Sequence, residues 1–480
     1  MKKIKEKIAI LPRGLEGLLI DGGRHDLHYF VGAGTAEEAW ARKFLDPAKV
    51  SSYKIRKRVT FNKITTEGVL KKTNIRSCFK RAGIDALMLT SRETPYINAW
   101  AKKNDIRTIS TGYVLQRSLE DKVFFDGFMS VHGIKKPESA VLSAKKLRSM
   151  KELLFKNGMV VQRKDSSGGE GTFFVRSVKD LRTMFRGRSI RDAEQCLVRE
   201  YIDGVSYGIT VFVSPRSIAL SALRLQCFYP EEKRTDKIFA GVQWVPTARL
   251  GKRVRGRVNE CFSRLGRILH EMRFFGFANF DFLVRDNEVY VIECNPRLSA
   301  ATPQIFLWPG LISGEDVANV FVRDHRNTAY AATPRVRRMP DTSFTGSFME
   351  IALSDKKRNK VFRIKRSCDI GIYRMRGGTG MRIADDLADM RDRRGKIFFM
   401  YSEARKDGRY KGKEGIAVAL SNEAIFDLEG NMNAFGKEVL GFVRDAYLEK
   451  GPLDRITADT TKRQSHNAIL SYEKRNNTNA

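Results

Sequence analysis

The sequence predicts an α/β lobe followed by a larger α+β body. The first 115 residues alternate strand-like and helix-like segments, the rhythm of a parallel sheet covered by helices. From about residue 116 to 330, helices alternate instead with paired strands. The composition is that of a globular chain: 480 residues, 42% hydrophobic, 10% aromatic and 30% charged. At roughly 150 residues per domain, that length suggests about three domains.

In the first lobe, residues 8–11 (IAIL) read as a buried strand and 26–31 (DLHYFV) as a second. Residues 66–83 carry Val69, Leu70, Ile75 and Phe79 at helical spacing, with Gly83 as C-terminal cap. A strand at 85–91, a helix at 94–104 and a strand at 106–110 complete a small Rossmann-like domain, 1–115. It has no GxGxxG after its first strand, so it is not read as a dinucleotide site.

The body, 116–330, divides near residue 200. Helices are expected at 119–131, 143–156 and 178–187, and strands at 158–163, 172–176, 196–202 and 206–213. A long helix fits 252–273, with Val254, Val258, Phe262, Leu265, Leu269 and Met272 on one stripe. A β-hairpin follows at 278–294. Residues 331–480 form a C-terminal α+β domain whose role the sequence does not name. It mixes strands at 361–366, 396–401 and 415–420 with a helix at 433–449, then a polar tail that frays from about 456.

Several classes are excluded. The apolar stretch 298–314 contains Pro303, Pro309, Gly310 and Gly314, so it cannot run as a membrane helix. The basic start is broken by Pro12, Arg13 and Glu16, which argues against a signal peptide. Six cysteines with no CxxC argue for reduced thiols in a cytoplasmic protein. The net charge of +33 is spread out: residues 331–480 hold 30 Lys/Arg and 20 Asp/Glu, a net +10, close to their share by length. One dense stretch, 51–82, has ten basic residues against Glu67. Such a field attracts polyanions, ATP included, and leaves a nucleic acid or acidic macromolecule open as partner.

The strongest chemical signal is FDFLVRDNEVYVIECNPR, 280–297. A three-residue loop at 285–287 would put Asp281 and Glu293 on one face, one pair-step apart; a strict two-residue loop would put them on opposite faces. In the first register two carboxylates and Asn295 converge, a hard oxygen set suited to Mg²⁺ held with substrate phosphates. Arg297 stands just beyond, ready to face phosphoryl oxygens. An ordinary hairpin with solvated carboxylates is the alternative, but Glu293 lies in the apolar run VYVIEC, where an unpaired charge is costly.

Three weaker motifs precede it. MVVQRKDSSGGEGTFFV, 159–175, reads as strand, loop, strand, with Gly168, Gly169 and Gly171 free to close over phosphates. CLVREYIDGVSYGITVFV, 196–213, is a strand–turn–strand whose Glu200–Ile202 backbone could meet a purine edge. In SLEDKVFF, 118–125, Lys122 opens a helix. Taken in this order, the four resemble the ATP-grasp superfamily of carboxylate–amine ligases, nearest its biotin carboxylase and carbamoyl-phosphate synthetase branch. The resemblance covers residues 1–330 and implies a Rossmann-like pre-ATP-grasp domain before a two-subdomain ATP-grasp fold.

By that resemblance the cofactors are ATP and Mg²⁺, with Mn²⁺ able to substitute. Asp281, Glu293 and Asn295 would hold the metal and Arg297 would steady an acyl phosphate. Lys122 would touch ATP phosphate, and Glu200, Tyr201 and Ile202 would frame adenine. The sequence departs from the family twice. Gln162 stands where a phosphate-binding lysine is usual, with Lys164 on the same side of the strand to supply the charge. Ser206 stands where an acidic residue often grips the ribose. The implied partners are a small carboxylate and an amine, an amino acid or peptide among them. A macromolecule-modifying enzyme and a non-catalytic polyanion-binding protein on the same fold are the alternatives. Specificity is expected in 214–250 and 298–314, with Arg224, Gln226 and Trp244 candidates by position. His25-x-x-His28 reads as ordinary histidines, GGTG at 377–380 as a turn, and the arginines of 252–273 as a solvated basic face.

Overall fold

The computed structural model describes residues 6–12, 17, 19–20, 26–54, 65–164, 171–185, 190–229, 239–299, 301–312, 317–325, 329–352, 361–365, 370–391, 393–402, 409–411 and 415–448. Gly168, Gly169, His25, Cys368 and the tail from 456 lie outside these.

The first lobe is a five-stranded parallel sheet in the order Val50–Tyr53, Asp26–Gly32, Lys7–Ile10, Ala86–Met88, Arg107–Ile109. The Rossmann-like expectation holds. The edge strand Val50–Tyr53 carries no long apolar run and was not expected from the sequence. The predicted helix 66–83 is two helices, Thr66–Lys72 and Ile75–Ala82, broken where the Thr73 hydroxyl bonds back to the Val69 carbonyl. Gly83 closes the second at φ +67°.

The body contains two sheets. A four-stranded antiparallel sheet, Ser139–Ser143, Gln195–Glu200, Met159–Arg163 and Thr172–Val175, forms a small lid. The larger sheet has twelve strands. It begins with the hairpin Gly276–Arg285/Glu288–Asn295, continues through Val205–Val213, Arg224–Phe228 and Phe239–Trp244, and runs on into Ser347–Ala352, Gly415–Ser421, Ile397–Tyr401, Gly371–Arg376 and Thr379–Ala384. The C-terminal region is α+β as expected, and its strands are hydrogen-bonded into this same sheet. The Gly377–Gly378 turn joins its last two strands.

One face of the large sheet is apolar. Ile209, Val211 and Val213 with Ala278, Phe280 and Phe282 pack on the helix Lys252–Glu271 through Val258, Phe262, Leu265 and Leu269. Five of these ten side chains are phenylalanine or leucine, and each buried one is worth about 1.5–3 kcal/mol of transfer free energy. The expected stripe is therefore real, though its end, Met272, is 37% exposed. The arginines of this helix are not simply solvated. Arg255 pairs with Asp341 at 2.7 Å, Arg257 pairs with Glu288, and Arg264 donates to the His132 and Gly133 carbonyls.

Among the described residues no helix is long and apolar enough to cross a membrane. Cys78, Cys196, Cys227, Cys261 and Cys294 are free thiols. His28 sits 3.3 Å from Asp26.

Candidate active site

The site lies on the other face of the large sheet and is organised by one hairpin. Its turn is Asp286–Asn287, at φ +52° and +63°. These left-handed values belong to a two-residue primed turn, which matches strand twist and suits Asp and Asn. Arg285 pairs with Glu288 and Phe282 with Val291. The three-residue loop expected from the sequence is thus corrected. With two loop residues and no other irregularity, Asp281 and Glu293 would face opposite ways. A β-bulge restores them: the register slips beyond Phe282 so that Asp281 pairs directly with Glu293. The extra residue is Ile292, and the slip puts both carboxylates on one face.

Asp281 and Glu293 are hydrogen-bonded to one another. Burial, and then the Glu293 charge, push the Asp281 carboxyl up to about 8. Burial would also raise Glu293, but Lys122, the Asp281 hydrogen bond, Asn295 and Arg199 together hold it below its usual range. The pair therefore shares one proton in the absence of a cation.

The surrounding groups come from four elements. Lys122, 9% exposed, brings its Nζ to 3.5 Å from Glu293 Oε2. It opens the helix Lys122–Val131, whose N-cap Asp121 accepts from the Val123 and Phe124 amides. That cap splits the expected helix 119–131 into Tyr113–Glu120 and Lys122–Val131. Asn295 donates to Glu293 Oε1 at 3.1 Å, and its Oδ1 accepts from Arg297 at 3.4 Å. Arg297 is clamped by Glu120 at 2.9 Å, and Glu120 also pairs with Arg92. Gln226 bonds Asp281 and accepts from Ser206 Oγ at 2.8 Å. Ser206 therefore joins the carboxylate network.

The lid supplies the remaining candidates. Gln162 is 6% exposed; its Oε1 accepts from Arg199 Nη1 at 3.0 Å and its Nε2 donates to Thr172. Arg199 is 2% exposed and bonds Asp126, which Lys136 and Ser139 also hold, at 2.7 and 2.6 Å. Sequence reasoning missed Arg199. It lies in an apolar run, yet an arginine one pleat-step from Gln162 on the neighbouring strand was a usable signal. Lys164 reaches Asp121 at 3.0 Å and so bridges the lid to the helix cap. In the segment 200–202, Glu200 N donates to Glu138 O and Tyr201 N to Gly158 O. Among the described residues only the Ile202 amide of these three has no partner. Tyr201 stacks under Arg176 at 5.1 Å. Gly171, at φ +81°, closes the described end of the Gly-rich loop.

The donor set fits Mg²⁺. No group of three or more His, Cys, Asp or Glu occurs among the described residues. Two facing carboxylates, with the Asn295 amide beside them, its nitrogen on Glu293 and its oxygen on Arg297, are a set that a magnesium ion takes when nucleotide phosphates and water complete its octahedron.

Comparison with known proteins shows the fold. Residues 119–301 match the family model described as an ATP-grasp domain. The fold is similar to a biotin carboxylase–β,γ-ATP complex from Campylobacter jejuni, at TM-score 0.59 and 14% identity over 87% of each chain. It is also similar to the biotin carboxylase domain of 2-oxoglutarate carboxylase from Hydrogenobacter thermophilus, at 0.57 and 13% over 87% of this chain and 86% of that one. Phosphoribosylamine–glycine ligase from Thermotoga maritima matches at 0.52 and 13%, covering 86% and 91%. The chain has the ATP-grasp fold, and the Hydrogenobacter structure that shares it holds MgADP, ADP and bicarbonate.

Proposed function

We propose, from the premise that residues 119–301 are an ATP-grasp domain, that the chain is a Mg²⁺- and ATP-dependent ligase joining a carboxylate to an amine. The observation that carries this is the directly facing Asp281–Glu293 pair, with Lys122, Asn295 and Arg297 around it.

The chemistry follows from the weakness of a carboxylate as electrophile. A substrate carboxylate oxygen attacks the γ-phosphorus of ATP and the β,γ-bridging P–O bond breaks. ADP leaves and an acyl phosphate forms. The amine then attacks the acyl carbon, the C–O bond to phosphate breaks, and an amide, inorganic phosphate and a proton result. Bound Mg²⁺ would supply charge neutralisation across the phosphates, held by Asp281, Glu293 and Asn295. Lys122 adds a fixed positive charge beside them. Arg297, immobilised by Glu120, faces the oxyanion of the acyl phosphate. The work is positioning and electrostatics, and no covalent nucleophile is required. The Ile202 amide is the free donor for an adenine ring nitrogen, and Gln162 enters as a neutral ligand. The carboxylate and amine are small molecules, as the names of the similar ligases suggest.

The test is ADP release from Mg·ATP against pooled amino acids and dipeptides, with Glu293→Gln in parallel. ADP release that needs both a carboxylate and an amine, and vanishes in the variant, supports the ligase. Undiminished release by Glu293→Gln would sink it.

A further inference from the structure

Arg224 is a buried cation that the proposed chemistry leaves unassigned. It stands in a row of directly paired residues across the large sheet: Glu293, Asp281, Gly208, Arg224 and Trp244. Directly paired residues share a face, so all of these belong to the site face. Gly208 leaves the floor between Asp281 and Arg224 without a side chain, and the guanidinium lies over it. A Cβ built at position 208 would meet Arg224 Nε at 3.0 Å and Cζ at 3.2 Å. The Trp244 ring backs the guanidinium at 5.9 Å.

The partners of Arg224 are neutral. Nη1 donates to Thr210 Oγ1 at 2.9 Å and Nη2 to Asn279 Oδ1 at 3.2 Å. Among the described residues no carboxylate accepts a hydrogen bond from it. Its exposure is 4%, and burial lowers its pKa to about 10 against the opposing pull of Asp281. Thr210 and Asn279 are buried with it, whereas Asp281, Glu293, Gln226, Ser206 and Asn295 are half-buried and line the front of the site.

With no cation bound, the hydrogen-bonded Asp281–Glu293 pair carries a single negative charge in the same row as Arg224. Once Mg²⁺ is held by Asp281 and Glu293, their two charges are matched by the metal. Arg224 then remains as a buried positive charge supported only by dipoles, a costly state that a ligand anion relieves. Asn279 links this cation to the reaction centre: its Oδ1 accepts from Arg224, and its Nδ2 donates to the Arg297 carbonyl at 2.5 Å.

We infer that Arg224, seated over Gly208 between Asp281 and Trp244, is the anchor for the carboxylate of the acid substrate. The inference rests on the ligase reading, and it names the residue that recognises the anion. The shared chemistry is an oxyanion accepting from a guanidinium, and such an anion can also be a phosphoryl group.

The test uses the tryptophan beside the site. The full chain is titrated with sodium acetate and, separately, with inorganic phosphate, in the presence of Mg²⁺, while tryptophan emission is followed. Trp244→Phe supplies the blank. A saturable acetate response is expected, absent from Trp244→Phe and weakened by about tenfold or more in Arg224→Gln. Arg224→Lys, which keeps the charge without the fork, should recover part of it. Gly208→Ala keeps every buried polar group but crowds the guanidinium, and should weaken acetate by about fivefold. It also serves should Arg224→Gln fail to fold.

No acetate response in the wild type would overturn the inference. So would an equal response in Arg224→Gln and Gly208→Ala. A phosphate response tighter than that of acetate would move Arg224 to the phosphoryl group and overturn the carboxylate assignment. Binding of Mg·ADP, measured calorimetrically on the same samples, is scored separately. Its absence in the wild type would count against the ligase reading, whatever acetate does.

Discussion

The two faces of the strands Val205–Val213 and Gly276–Arg285 share one backbone and do opposite work. On one face Ile209, Val211, Phe280 and Phe282 are sealed under the helix Lys252–Glu271. On the other, Asp281, Thr210, Asn279 and, across the row, Glu293 and Arg224 hold charge and hydrogen-bonding groups with little water. The apolar face gains free energy by folding. The polar face costs free energy to bury, a cost reflected in the raised pKa of Asp281. Stability and function can therefore be separated residue by residue along a single strand.

Breaking the polar face should give the largest effect. Asp281→Asn or Glu293→Gln is expected to lower Mg·ATP-dependent turnover by about 10³-fold, the scale of losing a preorganised charge at the reacting groups. Thermal unfolding of nucleotide-free Asp281→Asn should be unchanged or shifted upward, because burying Asp281 requires the uptake of a proton that asparagine does not need. A steady-state assay beside a melting curve checks both.

One residue away on the same strand, Phe280→Ala should do the reverse. A cavity among Phe125, Phe262 and Phe280 is expected to cost about 3–5 kcal/mol in denaturant unfolding. Mg·ADP affinity of the molecules that stay folded should hold within about twofold.

The contact between the lid and the helix Lys122–Val131 sharpens the contrast, since its charges pair with one another. Asp126→Asn leaves Lys136 and Arg199 without their carboxylate and should cost about 3 kcal/mol. Burial alone would raise the Asp126 pKa, but Lys136, Ser139 and Arg199 hold it below the usual value. A depressed carboxylate stabilises above its unfolded pKa, and that contribution is lost as pH falls through the folded value. Acid unfolding of wild type and Asp126→Asn should therefore converge at low pH.

The smallest expected effect is the pH slope of the polar face itself. Asp281 is raised to about 8, so the metal-free folded state binds more protons than the unfolded state between the ordinary aspartate value and that pH. Its contribution to stability is then full at low pH and lost as pH rises through about 8. Melting curves from pH 6 to 9 should show this decline without Mg²⁺. Saturating Mg·ADP should flatten it.

Much of this was legible in the sequence, and the gaps have physical causes. The βαβ rhythm, the amphipathic helix and the Asp281/Glu293/Asn295/Arg297 set were visible because periodicity and residue type announce them. The hairpin register was not. Two positive-φ residues make the turn, and the Ile292 bulge that compensates leaves no mark in an apolar run. Helix breaks at Thr73 and Asp121 depend on side-chain bonds to the backbone, which compete with helical periodicity only at close range. The strand Arg224–Phe228 was missed although Arg224 and Gln226 alternate with Leu225 and Cys227, because the run is only five residues long. Arg199 was missed for the opposite reason, a charge inside a strand that otherwise reads as core. Both misreadings fall where polar groups are buried.

The most direct measurement is the melting temperature of Asp281→Asn beside the wild type, each with and without saturating Mg·ADP. The wild type should gain several degrees on adding Mg·ADP, by about 2.7 kcal/mol of linkage at a hundredfold excess over Kd. The variant should melt at or above the wild type without nucleotide and gain almost nothing with it. An equal Mg·ADP shift in the two proteins would contradict the assignment of this face to magnesium and nucleotide.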